Sequence, residues 1–474
     1  MISRQKYILF GLLALALLAA IVYLVYNAAR PSRQPGDLAP ISLAGYHRLL
    51  VLAPHCDDET LGAGGLIQAA QRAGLEVRVV VETNGDGYLF ATMEDFRRIY
   101  PRASDFIRMG NVRQQESLSA LRLLGIPENN VIFLSYPDRG TPELWNDHWL
   151  AADPYRSPYI ESTRSPYPIT YNPDAVYAGE DLLADLLAVI ESYRPDLIVY
   201  PHPDDVHPDH WGLGTFTRLA LTIAGRDHLD YHPAALAYLV HRPDFPEPGG
   251  LQMDSSLLPP EALYKIDPAW YRFDLLPDDV QLKYAAIQEY RSQLPLLRGL
   301  LVSFARTNEL FAQPQPAVLP DLQTGDPDRP DTWRDAAGAA IAPIQLDPQR
   351  DFITRQVSAE ADLIAVFAAR TSEGNLLLCS QTRGAASPVL IYTLRANAMS
   401  DSGVFHHGAR NHERPEAWHV PKLTGAFVCD QVSLAELGNP WLVFIGADVE
   451  EVGTGILDQV AWQAVLIGSA VSGP

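Results

Sequence analysis

The sequence predicts an α/β protein in three parts: an N-terminal transmembrane helix, a Rossmann-like and mostly parallel sheet with helices on both faces, and a C-terminal β-sandwich. Between residues 46 and 312, apolar strand-like runs, such as 234–241, alternate with stretches of helical apolar spacing, such as 113–124. This order is typical of a parallel sheet covered on both faces. Beyond residue 336, short apolar or alternating runs separated by turn residues, the first at 352–357, indicate the β-sandwich.

The N-terminal segment 7–26 (YILFGLLALALLAAIVYLVY) is apolar and carries no charge. About twenty such residues span roughly 30 Å of hydrocarbon as a helix, whereas the apolar core of a cleaved signal peptide has about 7–15 residues. We therefore favour an uncleaved, single-pass membrane anchor over a cleaved leader. Basic residues on both sides of the segment give a slight bias that places the remaining chain outside the cytoplasm.

Changes in composition divide the chain further. Residues 31–45 and 313–335 are rich in proline and polar residues and lack strand or helix periodicity, which is typical of linkers. We predict five parts: an anchor at 1–30, a linker at 31–45, an α/β domain at 46–312, a Pro-rich linker at 313–335 and a β-sandwich accessory domain at 336–474.

Charge and cysteine content limit the classes of partner and compartment. The chain of 474 residues has a formal net charge of −21, which argues against nucleic-acid binding because phosphate contacts need clustered Lys and Arg. The sequence also has no glycine motif for a dinucleotide or a nucleotide phosphate. Cys379 and Cys429 either pair in an oxidising compartment or are two separate buried thiols.

Two apolar runs lead directly into histidines and acids. Residues 49–53 precede the sequence PHCDDET at 54–60, and residues 196–200 precede PHPDDVHPDH at 201–210. Ligands of open α/β sheets bind beyond the carboxyl ends of strands, so two such strands side by side would place both clusters around one ion. A single cluster of this kind is more often a capped turn, and the second cluster is what favours a metal site.

The motifs HCDDE at 55–59 and DVHPDH at 205–210 together resemble the two signatures of the PIG-L/LmbE-like metal-dependent N-deacetylases, usually HPDDE and DxHPDH. Weaker features extend the resemblance over residues 46–312, namely TNGD at 83–86, RxxE at 113–116, YPD at 136–138, and Lys283 with Tyr290, Ser292 and Gln293. The sequence departs from the family at Cys56, where proline is usual, and this puts a soft side chain beside the site.

The resemblance implies one Zn²⁺ ion per site, with His55, Asp58 and His210 as its ligands. Two histidines and one carboxylate leave zinc an open position for water, as in catalytic rather than structural zinc sites. The resemblance also implies that Asp57 is the general base and that His207 stabilises the oxyanion or acts as an acid.

Three further residues take roles from the same resemblance. Asp209 would orient His207 as a neighbouring carboxylate. Arg113 and Asp138 resemble residues that contact the sugar substrate, although a buried salt bridge is an alternative explanation for them.

Other stretches allow more than one interpretation. Residues 138–177 are rich in Pro and Tyr and form either a wall or lid of the substrate cleft or a surface excursion without a role. His202, with Asp204 and Asp205, repeats the letters HPDD and is interpreted as supporting structure. The patch of His406, His407, His412 and His419 is more typical of an exposed loop than of a metal site.

These features favour a membrane-anchored, zinc-dependent hydrolase that removes the acetyl group from an N-acetylglucosamine-type sugar or glycoconjugate. A carbohydrate-binding surface protein is one alternative, but it would not need the complete set of acids and histidines. A metal-dependent esterase or phosphoesterase with the same ligands is another. The β-sandwich either adds a second contact with a long glycan or packs on the first domain and is needed for folding.

Overall fold

The computed structural model describes residues 37–266, 269–351, 358–412 and 418–468. The described residues from Pro40 onward belong to one compact unit. The anchor predicted at 7–26 and a strand predicted at 352–357 lie outside the described residues. Within the described ranges, no helix has both the length and the apolar character needed to cross a membrane.

A mostly parallel sheet forms the centre of the α/β part, as the sequence predicted. From Arg48 onward its strand order is β7-β8-β6-β5-β2-β3-β4. Strands β2 to β6 pair in parallel, whereas β7 and β8 are antiparallel. The strands of this part are β1 (Ala39–Pro40), β2 (Arg48–Ala53), β3 (Glu76–Thr83), β4 (Val131–Tyr136), β5 (Leu197–Pro201), β6 (Ala234–Tyr238), β7 (Trp270–Asp274) and β8 (Asn308–Ala312).

Helices connect these strands. They are α1 (Asp58–Arg72), α2 (Leu89–Phe96), α3 (Ala103–Leu123), α4 (Thr141–Asn146), α5 (Gly179–Tyr193), α6 (Pro208–Asp227), α7 (Glu261–Ile266), α8 (Pro277–Ile287) and α9 (Leu294–Leu301), with 3₁₀ turns at Glu128–Asn130, Val302–Phe304 and Pro330–Thr332. Helix α3 begins ten residues before the predicted start at Arg113. Gly110 and Asn111 weaken the helical pattern there, but Asp105 caps the helix by accepting a hydrogen bond from the Arg102 N–H at 2.9 Å.

Strands β7 and β8 were not predicted, and β8 shows why. Its first two residues, Asn308 and Glu309, are polar and nevertheless buried. The Glu309 carboxylate accepts hydrogen bonds from Lys283 Nζ at 2.6 Å and from the Gly65 N–H at 2.7 Å. Buried polar side chains that are satisfied in this way interrupt the apolar pattern from which strands are recognised.

Two further sheets lie in the C-terminal part and share one apolar cluster, which includes Leu376 and Val428 from one sheet and Leu394 and Ile445 from the other. Their strand orders are β10-β11-β12-β17-β16 and β15-β14-β13-β18-β19-β9. The strands are β9 (Ala317–Val318), β10 (Gln345–Leu346), β11 (Leu363–Arg370), β12 (Asn375–Thr382), β13 (Ile391–Ser400), β14 (Gly403–Arg410), β15 (Trp418–His419), β16 (Lys422–Thr424), β17 (Phe427–Ser433), β18 (Leu442–Glu451) and β19 (Gly455–Leu466).

Three local features of the C-terminal part concern the cysteines, the predicted Pro-rich linker and the histidine patch. Cys379 and Cys429 lie opposite each other on β12 and β17 and form a disulfide, with the two sulfur atoms 2.10 Å apart. The short strand β9, within the Pro-rich stretch at 313–335, pairs with β19. His406 and His407 lie on strand β14 rather than in a loop.

The order of the parallel strands creates a crevice where the motifs meet. The chain proceeds from β2 to β3 and β4 on one side, and β5 and β6 lie on the other side of β2. Strands β2 and β5 are direct neighbours, with Val51 opposite Val199. Open α/β sheets bind ligands at such a change of direction. Both polar clusters follow the carboxyl ends of these two strands.

Candidate metal centre and active-site cleft

The first cluster begins where β2 ends at Ala53 and finishes in the first turn of α1. A Cβ at Gly62, in the second turn, would lie 2.3 Å from the ring of Tyr238 on β6. The helix therefore packs closely on the sheet because this residue has no side chain. This close packing fixes the direction in which the first turn of α1 presents Asp58.

The three predicted ligands converge on one carboxylate oxygen. Asp58 Oδ2 lies 3.0 Å from His55 Nδ1 and 3.0 Å from His210 Nε2. Asp58 and His210 are fully buried, and His55 is almost so. The structure thus brings together side chains from two strand ends that are more than 150 residues apart in sequence.

The same atoms fit a zinc ion. Among the described residues, Asp58 Oδ1 is buried and has no hydrogen-bond partner, and neither ring nitrogen of His210 makes a hydrogen bond of good geometry. Burial alone would lower the pKa of His210, but Asp205 and Asp58 raise it to about 10. His210 and His55 in turn hold the pKa of Asp58 well below its usual range despite burial. Two imidazoles and one carboxylate are a typical zinc donor set.

A second carboxylate, that of Asp205, orients the His210 ring by contacting the ring nitrogen that does not face Asp58. Its Oδ2 lies 3.0 Å from His210 Nδ1, and it accepts hydrogen bonds from the N–H groups of Val240 at 3.0 Å and His241 at 2.9 Å. A carboxylate on the far nitrogen of a metal-binding histidine fixes its ring and its tautomer. The spacing of the motif does not predict this role of Asp205.

His241 was also missed. It offers a ring nitrogen within 4.8 Å of donor atoms of Asp58 and His210, and it lines the cleft beside His207. The signal was available, because the strand predicted at 234–241 ends in this histidine. Residues 234–241 are thus a third apolar run that leads into a side chain able to ligate a metal.

Asp57 points into the cleft and forms an ion pair with Arg113. Its Oδ2 lies 3.3 Å from Arg113 Nη2, and both side chains are more than nine-tenths buried. Burial raises the pKa of Asp57, and Arg113 opposes the rise. Arg113 is therefore both a salt-bridge partner and a lining residue of the cleft.

Gly85 in the TNGD turn makes room for this arginine. Its carbonyl oxygen accepts a hydrogen bond from Arg113 Nη1 at 3.0 Å. The residue has φ of +62°, and a Cβ there would lie 1.8 Å from Arg113 Nη1. Only glycine combines this backbone angle with such close contact.

His207 caps the N-terminus of α6. Its Nδ1 accepts a hydrogen bond from the Asp209 N–H at 3.3 Å, so the neutral ring carries its proton on Nε2. Burial lowers the pKa of His207 well below its usual range, and His55 lowers it further. The ring is therefore a neutral hydrogen-bond donor at the cleft.

Asp209 and Asp138 both lie against His55. Asp209 Oδ2 is 3.2 Å from His55 Nε2 but 4.0 Å from His207 Nδ1. Because the Asp209 N–H binds the His207 ring, its carboxylate turns towards the N–H groups of Arg139 and Thr141 instead. Asp138 Oδ1 lies 3.4 Å from His55 Nε2. Asp209 therefore contacts His207 through its backbone, and its carboxylate contacts His55.

The cleft has a volume of about 150 Å³. Five residues with predicted roles line it, namely His55, Asp57, Arg113, Asp138 and His207. The other lining residues, for which no role was predicted, are Tyr88, Arg139, His241, Gln293 and Leu297. From the stretch 138–177, Asp138 and Arg139 form part of the wall. Farther along the same stretch, Trp145 is buried in the core.

The other residues considered from the sequence lie away from the cleft. Cys56 is buried, with its sulfur 4.0 Å from the Thr83 carbonyl oxygen. Burial raises the pKa of Cys56 well above the usual thiol value, so it is a protonated thiol. His202 is fully buried and its ring stacks on Trp270. His407 Nε2 pairs with Asp430 at 2.7 Å.

Comparison with known proteins places these residues in a family context. A sequence profile described as "PIG-L: GlcNAc-PI de-N-acetylase" matches residues 50–221. A protein of Mycobacterium sp. (strain KMS), named 1D-myo-inositol 2-acetamido-2-deoxy-alpha-D-glucopyranoside deacetylase, is 32% identical over 182 residues, which are 38% of this chain and 51% of that protein. The protein of the same name from Rhodococcus jostii (strain RHA1) is 33% identical over 183 residues, 38% of this chain and 54% of that protein.

The chain thus spans about half the length of the curated relatives it matches. Among solved structures, N,N'-diacetylchitobiose deacetylase from Pyrococcus horikoshii aligns with a TM-score of 0.35 and 19% identity, over 57% of this chain and 84% of that one.

Proposed function

We propose that this chain, whose residues 50–221 form a domain of the PIG-L family, hydrolyses the N-acetyl group of an N-acetylglucosamine-type sugar or glycoconjugate. One observation carries the proposal. The His55–Asp58–His210 donor set lies next to a separate carboxylate, Asp57, that faces the same cleft. A binding module needs no such division between metal-holding and proton-transferring carboxylates.

His55, Asp58 and His210 would hold one zinc ion. When bound, zinc supplies Lewis-acid chemistry, which activates water and polarises a carbonyl group. The buried, unpartnered oxygen of Asp58 supports this assignment, since an unsatisfied buried charge is costly without a cation.

Asp57 would act as the general base and then as the acid. It takes a proton from the attacking water as oxygen adds to the amide carbon, and it gives a proton to the nitrogen as the C–N bond breaks. The products are acetate and the free amine. The raised pKa of Asp57, caused by burial, suits both steps, because proton transfer is most effective when the pKa of the group approaches the working pH.

His207 would donate a hydrogen bond from its Nε2–H to the carbonyl oxygen as negative charge develops there. The hydrogen bond from the Asp209 N–H to Nδ1 holds the required tautomer. Burial keeps the ring neutral, so it acts as a hydrogen-bond donor rather than as a cation. Preorganised donors of this kind lower the barrier of acyl transfer.

The substrate class rests on the named relatives. The relatives from Mycobacterium sp. (strain KMS) and Rhodococcus jostii (strain RHA1) are both named for deacetylation of a 2-acetamido-2-deoxy-glucopyranoside. Arg113 and Asp138 line the cleft beside Asp57 and His55, where they would bind sugar hydroxyls.

We also propose that the enzyme is membrane-anchored through segment 7–26 and acts outside the cytoplasm. The disulfide between Cys379 and Cys429 supports the location, since disulfides persist in oxidising compartments. Alkylation of intact cells with a membrane-impermeant thiol reagent after reduction tests it. Labelling only after lysis would contradict the extracytoplasmic location.

The activity is tested by incubating the zinc-loaded full chain with a panel of N-acetylated sugars. The expected result is acetate and free amine in equal amounts, lost after chelation and restored by Zn²⁺. Release of acetate only from O-acetyl esters would identify an esterase. Release of phosphate from phosphate esters would identify a phosphoesterase. Saturable sugar binding without turnover in the metal-loaded protein would favour the carbohydrate-binding alternative.

A further inference from the structure

A second group of acids lies outside the cleft, in the C-terminal part. Asp347, Asp351 and Asp458 each place a carboxylate oxygen within 4.8 Å of those of the other two. Asp347 follows strand β10 directly, and Asp458 lies on β19. Asp347 and Asp458 are buried to 95% or more, with exposed fractions of 5% and 1%. Three acids this close, two of them deeply buried, repel one another unless something compensates their charge.

Two oxygen atoms of the group lack a partner in the described part of the chain. Asp347 Oδ2 and Asp351 Oδ1 are buried and accept no hydrogen bond from the described residues. A buried carboxylate oxygen without a donor costs free energy, and native proteins leave few such atoms unsatisfied. Asp347 therefore has a deeply buried oxygen without a described partner, close to two further carboxylates.

Arg242 is the positive charge near these acids, and it also pairs with another carboxylate. Arg242 lies 3.4 Å from Asp351 Oδ2, and its Nε also pairs with Asp244 Oδ1 at 3.1 Å. One guanidinium that also pairs with Asp244 does not balance the negative charge of three carboxylates. The group is thus short of positive charge among the described residues that contact it.

The acids also line a cavity of about 280 Å³. The cavity is also lined by Asp205 and Val206 of the second motif and by Trp211, which directly follows it. This space is large enough for water molecules, which commonly complete the coordination of hard cations.

We propose that Asp347, Asp351 and Asp458 bind one hard divalent cation, Ca²⁺, with cavity water completing its coordination. An all-oxygen donor set favours Ca²⁺ or Mg²⁺ over zinc, and the irregular arrangement of three carboxylates suits the flexible geometry of Ca²⁺ better than the strict octahedron of Mg²⁺. The ion would link the residue that directly follows β10 to strand β19. Calcium binding at this site does not require the proposed deacetylase activity.

Calcium binding is tested on the zinc-loaded full chain with CaCl₂ as the probe. Titration calorimetry is expected to give one Ca²⁺ per chain beyond the zinc. At about 100-fold excess over the dissociation constant, the melting temperature should rise by roughly 3 °C. Tb³⁺, which replaces Ca²⁺, should show luminescence sensitised by the nearby indole of Trp211 and should be displaced by Ca²⁺.

The double variant Asp347→Asn/Asp458→Asn should lose the calcium-dependent rise while keeping its zinc content. Asp230→Asn is the matched control, because Asp230 is an exposed acid whose nearest basic atom, Arg194 Nη2, is 3.7 Å away. If the double variant does not fold, Asp351→Asn alone takes its place. The absence of calcium binding to the wild type at millimolar Ca²⁺, or an equal rise in the variant, would overturn the proposal.

Discussion

The indole of Trp145, from the long stretch after β4, meets the ring of Phe444 on β18 edge to face, with centroids 5.2 Å apart. Trp462 on β19 contacts the same indole at 5.7 Å. Asn397 Nδ2 donates a hydrogen bond to the Trp145 carbonyl oxygen at 3.0 Å. The α/β part and the C-terminal sheets therefore share one apolar core.

This contact predicts that the C-terminal part is needed for folding. Deletion of residues 336–474 would expose Trp145 and its apolar neighbours, so we expect an insoluble protein rather than an active fragment. Large exposed apolar patches lead to aggregation. A soluble fragment with full turnover of a small sugar would show that the C-terminal sheets serve only as an accessory.

Phe444→Ala tests the same contact at a single residue. Removing a buried phenylalanine typically costs about 3–5 kcal/mol of unfolding free energy. Phe90→Ala is the control, because Phe90 is 65% exposed and its loss should cost less than about 0.5 kcal/mol. Denaturant unfolding of both variants measures the difference, and similar midpoints would contradict a shared core.

The two adjacent aspartates of the first motif should differ in their effects. Asp57→Asn is expected to keep zinc and to lower kcat by about 10²–10⁴-fold, because it removes proton transfer. Asp58→Asn should lose zinc and activity together. Zinc measured by atomic absorption alongside kcat separates the two roles, and loss of zinc from the Asp57 variant would make Asp57 a ligand.

Gly85→Ala should lower activity by displacing Arg113 from Asp57. The new Cβ would lie 1.8 Å from Arg113 Nη1, so the guanidinium must move. Gly74→Ala is the matched control: its φ is +82°, yet no atom of the described residues lies within 4 Å of the added Cβ. Both variants carry backbone strain of about 1–2 kcal/mol, and only Gly85→Ala should change the pH–rate profile. Equal profiles would show that Arg113 does not tune Asp57.

Asp205→Asn should weaken zinc binding by about 10–100-fold, the usual effect of losing a carboxylate behind a metal-binding histidine. The amide keeps the shape of the side chain but removes the charge 3.0 Å from His210 Nδ1. Asp244→Asn is a control, because it removes a carboxylate that pairs with Arg242 instead. Competition with a zinc indicator gives both affinities. Unchanged affinity in the Asp205 variant would assign it a purely structural role.

The sequence was sufficient to predict that the side chains of His55, Asp58 and His210 would come together. His55 and His210 follow apolar runs, and parallel strands end at the same edge of a sheet, so their convergence depends on local patterns. The contacts of Asp205 with His210 and with the N–H groups after β6 could not be predicted in this way. They depend on β6 lying next to β5, with Pro201 opposite Tyr238, and a single sequence does not reveal such a register.

Asp209 illustrates a second limit. The motif alone places its carboxylate next to His207, two residues away. Since His207 caps helix α6 through its ring, the backbone of Asp209 makes that contact and the carboxylate turns to His55. Competition between backbone and side-chain hydrogen bonds is decided by local geometry, which spacing in a motif does not specify.

The last prediction concerns stability without calcium as the pH rises. Burial, reinforced by Asp351, raises the pKa of Asp458 to about 8, and burial raises that of Asp351 to about 6 although Arg242 opposes it. The pKa of an unfolded aspartate is about 3.9, so the folded state binds these protons more tightly. The groups facing the cluster are Asp204, Asp362 and Arg242.

Raised folded-state pKa values contribute stability that is fully present below about pH 4 and is lost as the pH rises through about 6 to 8. In a chelator, the melting temperature of the wild type should therefore fall between pH 5 and pH 8.5 relative to that of Asp347→Asn/Asp458→Asn. Excess Ca²⁺ should remove this relative fall in the wild type, because the cation replaces the protons on the carboxylates. Thermal melts of both proteins with and without Ca²⁺ measure the effect, and parallel curves in the chelator would contradict it.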